Sequence, residues 1–145
     1  MNMVQSYPNS KVTVVGHSLG GAIALIDGLL LKLVLPSTND VRVYAYGMPR
    51  VGNDAFAGFV DGTLPGAVTH INNMRDPVPV VPAISLGYHQ VSGEMHIQGN
   101  GQWIACPGQD NGDPRCTVGT VTSINNAQFA DHMGPYNNIM INCNN

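Results

Sequence analysis

The stretch TVVGHSLGGAIAL, residues 13–25, sets a serine between flanking glycines as Gly16-His17-Ser18-Leu19-Gly20. A serine hydroxyl is a weak nucleophile at its ordinary acidity. Chemistry at Ser18 therefore requires a base within hydrogen-bond reach, an acid that orients the base, and N–H donors for an oxyanion. In a glycine-rich chain the bare G-x-S-x-G pattern carries little weight, and a turn with a helix-capping serine is the competing reading. The context carries more. A β-branched run, KVTVVG, leads into the motif and a small-residue helix start follows, which is the strand-turn-helix junction of a nucleophile elbow. Such a turn strains its serine by about 1–3 kcal/mol, and Gly16 and Gly20 remove the side chains expected to collide there. Ser18 then emerges at the carboxyl edge of a sheet and the amino end of a helix, where the Leu19 N–H faces a developing oxyanion.

His17 adjoins Ser18, but neighbouring residues of an extended chain point to opposite faces, so His17 is assigned to packing or hydrogen bonding. The base must come from another loop, among His70, His89, His96 and His132. His70 and His96 sit inside alternating segments and read as structural histidines. His89 follows Tyr88 in a loop and stays open, while His132, in the polar turn ADHMGPY beyond the last strand signal, is favoured. The acid should lie between Ser18 and His132, because α/β hydrolases order their triad as serine, acid, histidine. Asp76 fits best: it ends the segment VTHINNM, and Pro77 restrains its backbone from the helical region. Glu94 is a minor alternative. Asp54 and Asp61 flank a helix, Asp110 and Asp113 form turns, and Asp131 adjoins His132 too closely to orient it.

These residues need a scaffold, and the first half of the chain supplies an alternating one. KVTVVG, VRVYAYG and AVTHINNM read as strands; GGAIALIDGLLLKLVLP and GNDAFAGFVDG, the latter capped by Asn53, read as helices. The pattern βαβαβ predicts a mostly parallel sheet with helices on its faces. From DPVPVVP onward proline and glycine dominate, with short strands expected at GEMHIQ and GQWIAC. The apolar segment PVPVVPAISLG, stiffened by Pro77, Pro79 and Pro82, is a candidate wall for an acyl groove or an ordinary buried loop.

With 145 residues the chain has the length of a single domain, 1–145. Only 10% of residues are charged and the net charge is −3, with scattered cations, which argues against a nucleic-acid-binding face. The longest apolar stretch, Leu19 to Leu35, is broken by Asp27 and Lys32 and reads as a buried helix, not a transmembrane span. The opening MNMVQSYPNS has neither a positive nor an apolar signal region, so no signal peptide is expected from it. Cys106 and Cys116 bracket the turn-rich PGQDNGDPR and predict a local disulfide worth about 3 kcal/mol. No metal is expected, since neither cysteine has C-x2-C spacing and QDNGD lacks a calcium loop's downstream glutamate. Cys143 is left over.

Over essentially its whole length the chain resembles the fungal class 3 lipases of the α/β-hydrolase fold. The carriers are VTVVGHSLGGAIA, YGMPRVGNDAFA, INNMRDPVPVVP, GYHQVSGEMHI, CPGQDNGDPRC and DHMGPY, in that order. The resemblance implies Ser18, Asp76 and His132 as nucleophile, acid and base. It further implies hydrolysis of lipid esters through an acyl-serine, at a lipid–water interface, with no cofactor, in an extracellular protein. A second esterase activity of the same family, on feruloyl or other carboxylic esters, is the alternative, as is an inactive lipase-like chain that only binds lipid or dimerises. The family also implies a region before the nucleophile strand, bearing the lid, further strands, a second oxyanion donor and a cysteine partner for Cys143. On that reading the fold is a partial α/β hydrolase whose amino-terminal strands and lid are missing.

Overall fold

Alternating β-branched and apolar residues make β1 (Lys11–His17), whose side chains point in turn to each face of the sheet. In the computed structural model, which describes residues 6–141, β1 runs parallel to β2 (Asp40–Tyr46), in register from Lys11↔Asp40 to His17↔Tyr46. The crossover between them is α1 (Leu19–Val34). Next come the two-residue β3 (Gly52–Asn53) and α2 (Asp54–Thr63), whose Asn53 cap accepts the Phe56 N–H at 3.0 Å. The chain then re-enters the sheet as β4 (Val68–Asn73), parallel to β2. β5 (Tyr88–His89) pairs with β3 in a separate ribbon. β6 (Glu94–Ile97) is parallel to β4, and β7 (Trp103–Cys106) returns antiparallel to it. The five-stranded sheet has the order β1-β2-β4-β6-β7. A one-turn helix, α3 (Thr117–Thr120), follows the loop closed by the Cys106–Cys116 disulfide. Cys143 lies outside the described residues.

The main core forms where Leu25 and Leu29 of α1 and Ala57 and Val60 of α2 meet Val41, Val43 and Ala45 of β2. α1 approaches β2 so closely that a Cβ at Gly28 would come within 2.2 Å of Val43 Cγ2. The expectation that α1 is buried on all sides is corrected. Ile23, Ile26, Leu30 and Leu33 are 52%, 49%, 55% and 57% exposed and form one stripe down the helix. The reason is topological. β1 is the edge strand, and the sheet covers the face of α1 that carries Ala24, Leu25 and Gly28, while the stripe lies on the opposite face. Val15, on β1 itself, is 60% exposed.

Candidate active site

The carboxyl ends of the parallel strands assemble the site. β1 stops at His17, and Ser18 takes φ 56 and ψ −130, a left-handed conformation that a side-chain-bearing residue adopts only under constraint. The constraint is hydrogen bonding on both sides of the turn: the Ser18 N–H donates to Tyr46 O at 2.8 Å, and its carbonyl accepts the Gly21 N–H at 2.9 Å. The steric part of the expectation divides. At Gly16 a Cβ would fall 2.0 Å from the Gly20 carbonyl oxygen, so only glycine fits; at Gly20 a Cβ would meet nothing within 4 Å. The second tight position is Gly21, not singled out from sequence, where a Cβ would press on Met48, Ala45 and Gly16 at 3.2–3.3 Å. Leu19 opens α1, its side chain 69% exposed.

From Ser18 a continuous line of hydrogen bonds runs inward. Ser18 Oγ lies 2.8 Å from His132 Nε2, and His132 Nδ1 lies 2.8 Å from Asp76 Oδ2. The Nδ1–H faces the carboxylate, so that tautomer leaves the Nε2 lone pair to accept the Ser18 hydroxyl proton. Asp76 is fully buried, and its other oxygen accepts the Val78 N–H at 2.8 Å. Burial pushes its carboxyl above the ordinary 3.8, opposed by hydrogen bonding from His132 and Val78. Asp76 is not the last residue of β4, which ends at Asn73; it follows a turn in which Met74 has φ 44.

The other histidines sort by their partners. His17 stays off Ser18: its Nε2–H donates to the main-chain carbonyl of His132 at 2.8 Å, and the two rings stack with centroids 4.5 Å apart. The neighbour of Ser18 thus braces His132. Buried His70 sets Nε2 against Val91 O at 2.9 Å, and burial lowers its pKa below 6.5. His96 lies between the carbonyls of Met74 and Arg115. His89 sits 3.4 Å from Asp110, which is paired with buried Arg50 at 2.7 Å and belongs to no part of the triad line. Glu94, the alternative acid, is buried and accepts the N–H and hydroxyl of Thr117.

Two contributors escaped the sequence reading. Tyr136 Oη donates to the same His132 carbonyl at 3.3 Å, and desolvation raises its pKa above 10. Gly47, at φ 53, follows β2 where a Cβ would come within 2.8 Å of Asp76 Oδ2 and of Tyr136 Oη, and 3.0 Å of His132 Nδ1. The one sequence signal for the first is a tyrosine four residues after His132; nothing in YGMPR marks the second.

The segment after Asp76 forms two single-turn 3₁₀ helices, Val78–Val80 and Ile84–Leu86. With Val118, Val121 and Ile124 it lines a cavity of about 410 Å³, and no triad residue is in that lining. Among the described residues, one group of side chains is close enough to hold a metal ion, Glu94 with Cys106 and Cys116. Both of its sulfurs are bonded to each other. No helix of the described residues is long and apolar enough to cross a membrane.

Residues 1–86 match the family model described as lipase (class 3). A secreted mono- and diacylglycerol lipase of Malassezia globosa, MDL2, is 39% identical over 134 residues, covering 91% of this chain and 42% of its own length. Lipase II from Rhizopus niveus superposes with a TM-score of 0.79 at 31% identity, over 95% of this chain and 51% of that one. A triacylglycerol lipase whose catalytic centre is a serine protease triad superposes at 0.76 and 31% identity, with the same 95% and 51% coverage. The chain therefore spans about half the length of these relatives or less.

Proposed function

This chain belongs to the class 3 lipase family, and from that premise we propose that it carries the Ser-Asp-His centre of a serine hydrolase acting on the carboxylic esters of acylglycerols. The observation that carries the reading is the line Ser18–His132–Asp76, each link 2.8 Å long. In this reading His132 Nε2 takes the Ser18 proton as Oγ attacks the ester carbonyl, and buried Asp76 stabilises the imidazolium that forms. The Leu19 N–H, at the amino end of α1, donates to the oxyanion. His132 then returns the proton to the departing alcohol, leaving an acyl-Ser18. Water, activated by the same Nε2, attacks that ester, and the acid leaves.

Mono- and diacylglycerols are the proposed substrates, after the names of the secreted relatives, mono- and diacylglycerol lipases of Malassezia globosa and Gibberella zeae. An extracellular setting agrees with those names and with the Cys106–Cys116 disulfide, which persists in oxidising compartments. Cys143 is proposed to pair with a cysteine outside these 145 residues, since the other two are joined to each other. A fluorophosphonate probe tests the centre directly. Expected is stoichiometric labelling at Ser18, abolished in Ser18→Ala along with monoacylglycerol hydrolysis. Equal labelling of the Ala variant sinks the assignment.

A further inference from the structure

The turn that presents Asp76 is strained and held at every backbone polar group from Met74 to the Asp76 N–H. Met74 stands at φ 44, a region that β-carbon sterics disfavour, and such a conformation persists only where its surroundings over-determine it. Its N–H donates to Ile97 O at 2.7 Å and its carbonyl accepts from His96 Nε2 at 2.8 Å, which fixes the turn to β6. The Asp76 N–H closes back on Asn73 O at 3.0 Å. The two groups of Arg75 go elsewhere. Its N–H donates to Asp131 Oδ2 at 2.9 Å, and its carbonyl accepts the Gln128 N–H at 2.8 Å. A third bond crosses in the same direction, from Asn73 Nδ2 to the Asp131 carbonyl at 2.9 Å.

All three crossing bonds land on the 3₁₀ segment Phe129–Met133 or on Gln128, the residue that caps it, and that segment carries His132. We propose that Asp131 is a positioning residue for the triad: its carboxylate pins the acid's turn to the base's segment, and so sets the distance between Asp76 and His132. The inference rests on the triad reading above. Sequence adjacency to His132 denies Asp131 the role of acid, and the same adjacency ties the Arg75 N–H, through the Asp131 carboxylate, to the segment that carries the base. Of the crossing bonds, one is wholly main-chain. The Asp131 carboxylate supplies one that a substitution removes without touching Ser18, His132 or Asp76, leaving the exposed Arg75 N–H to water in place of the base's segment.

The test compares Asp131→Ala with Asp131→Asn in the full-length protein, with kcat expressed per serine titrated by the fluorophosphonate. Asp131→Ala is expected to lower kcat per titrated serine roughly tenfold with KM little changed, since a misplaced catalytic group loses rate and not binding. The downfield proton resonance of His132 Nδ1–H should shift and broaden. Asp131→Asn keeps an acceptor oxygen and should restore both. Unchanged kcat per titrated serine in Asp131→Ala overturns the proposal. So does a loss confined to the fraction of titratable serine, which marks a purely structural residue. A wild-type protein with no titratable serine overturns the triad reading itself, and the positioning role falls with it.

Discussion

The turn at residues 73–76 and the outer face of α1 are built on opposite logics. In the turn, the backbone groups of Met74 and Arg75 and the Asp76 N–H all have partners, the acid is sealed from water, and a residue as small as glycine is enforced at position 47. On α1, four large aliphatic side chains stand half exposed in a stripe. The difference separates two uses of burial. The first region uses it to fix the positions of a few polar atoms, where a shift of under 1 Å matters. In the second the core side of the helix does the stabilising, and the outer side contributes little to holding the chain's own fold.

Substitutions sharpen that contrast. Asp76→Asn should reduce kcat about 10⁴-fold, by removing the charge that holds the imidazole tautomer and its cation. The same substitution should raise, not lower, the thermal midpoint at pH 7. The pKa of Asp76 is raised in the fold above 3.8, so its stability contribution is full below that value and is lost as pH rises through the folded-state pKa. At neutral pH the buried anion therefore opposes folding, and the variant's advantage should disappear in melts run below pH 3.8. A midpoint lowered at pH 7 would break the reading of Asp76 as function held against stability.

Removing the disulfide by paired Cys106→Ser and Cys116→Ser should cost about 3 kcal/mol in chemical denaturation. Both cysteines are 2% exposed, so the serine pair also has to satisfy new buried hydroxyls. Gly47→Ala should lower kcat roughly 100-fold, the rate expected when catalytic groups are displaced by about 1 Å. An alanine variant with wild-type turnover would mean that the crowded geometry around Asp76 and His132 relaxes freely. Leu30→Lys, at the centre of the bare stripe, should change the unfolding free energy by less than about 0.5 kcal/mol. A loss of 2 kcal/mol or more there would show that this face packs against something, and would erase the contrast.

Much of the candidate site's arrangement was legible because it is written in short local patterns. Strand-turn-helix around Gly16-His17-Ser18-Leu19-Gly20 points to the elbow, and the order of serine, acid and histidine narrows the partners to Asp76 and His132. The disulfide was legible for a similar reason, since its loop of turn-forming residues brings the two cysteines together locally. The burial of α1 was misjudged because an apolar circumference records composition and not what lies on either side. Only strand order shows that β1 is an edge.

The sequence by itself determined the residue types, their order along the chain and the period of each element, because these follow from side-chain chemistry and backbone sterics acting over a few residues. It determined that Ser18 sits at a turn between strand and helix. Tertiary structure alone decided that His17 would brace the base, that Gly47 must leave room for Asp76, and that the Asp131 carboxylate would reach the Arg75 N–H. Those relations join residues 29 to 115 positions apart, one of them through a clearance of about 3 Å. Such distances exist only after the sheet has brought its strand ends together.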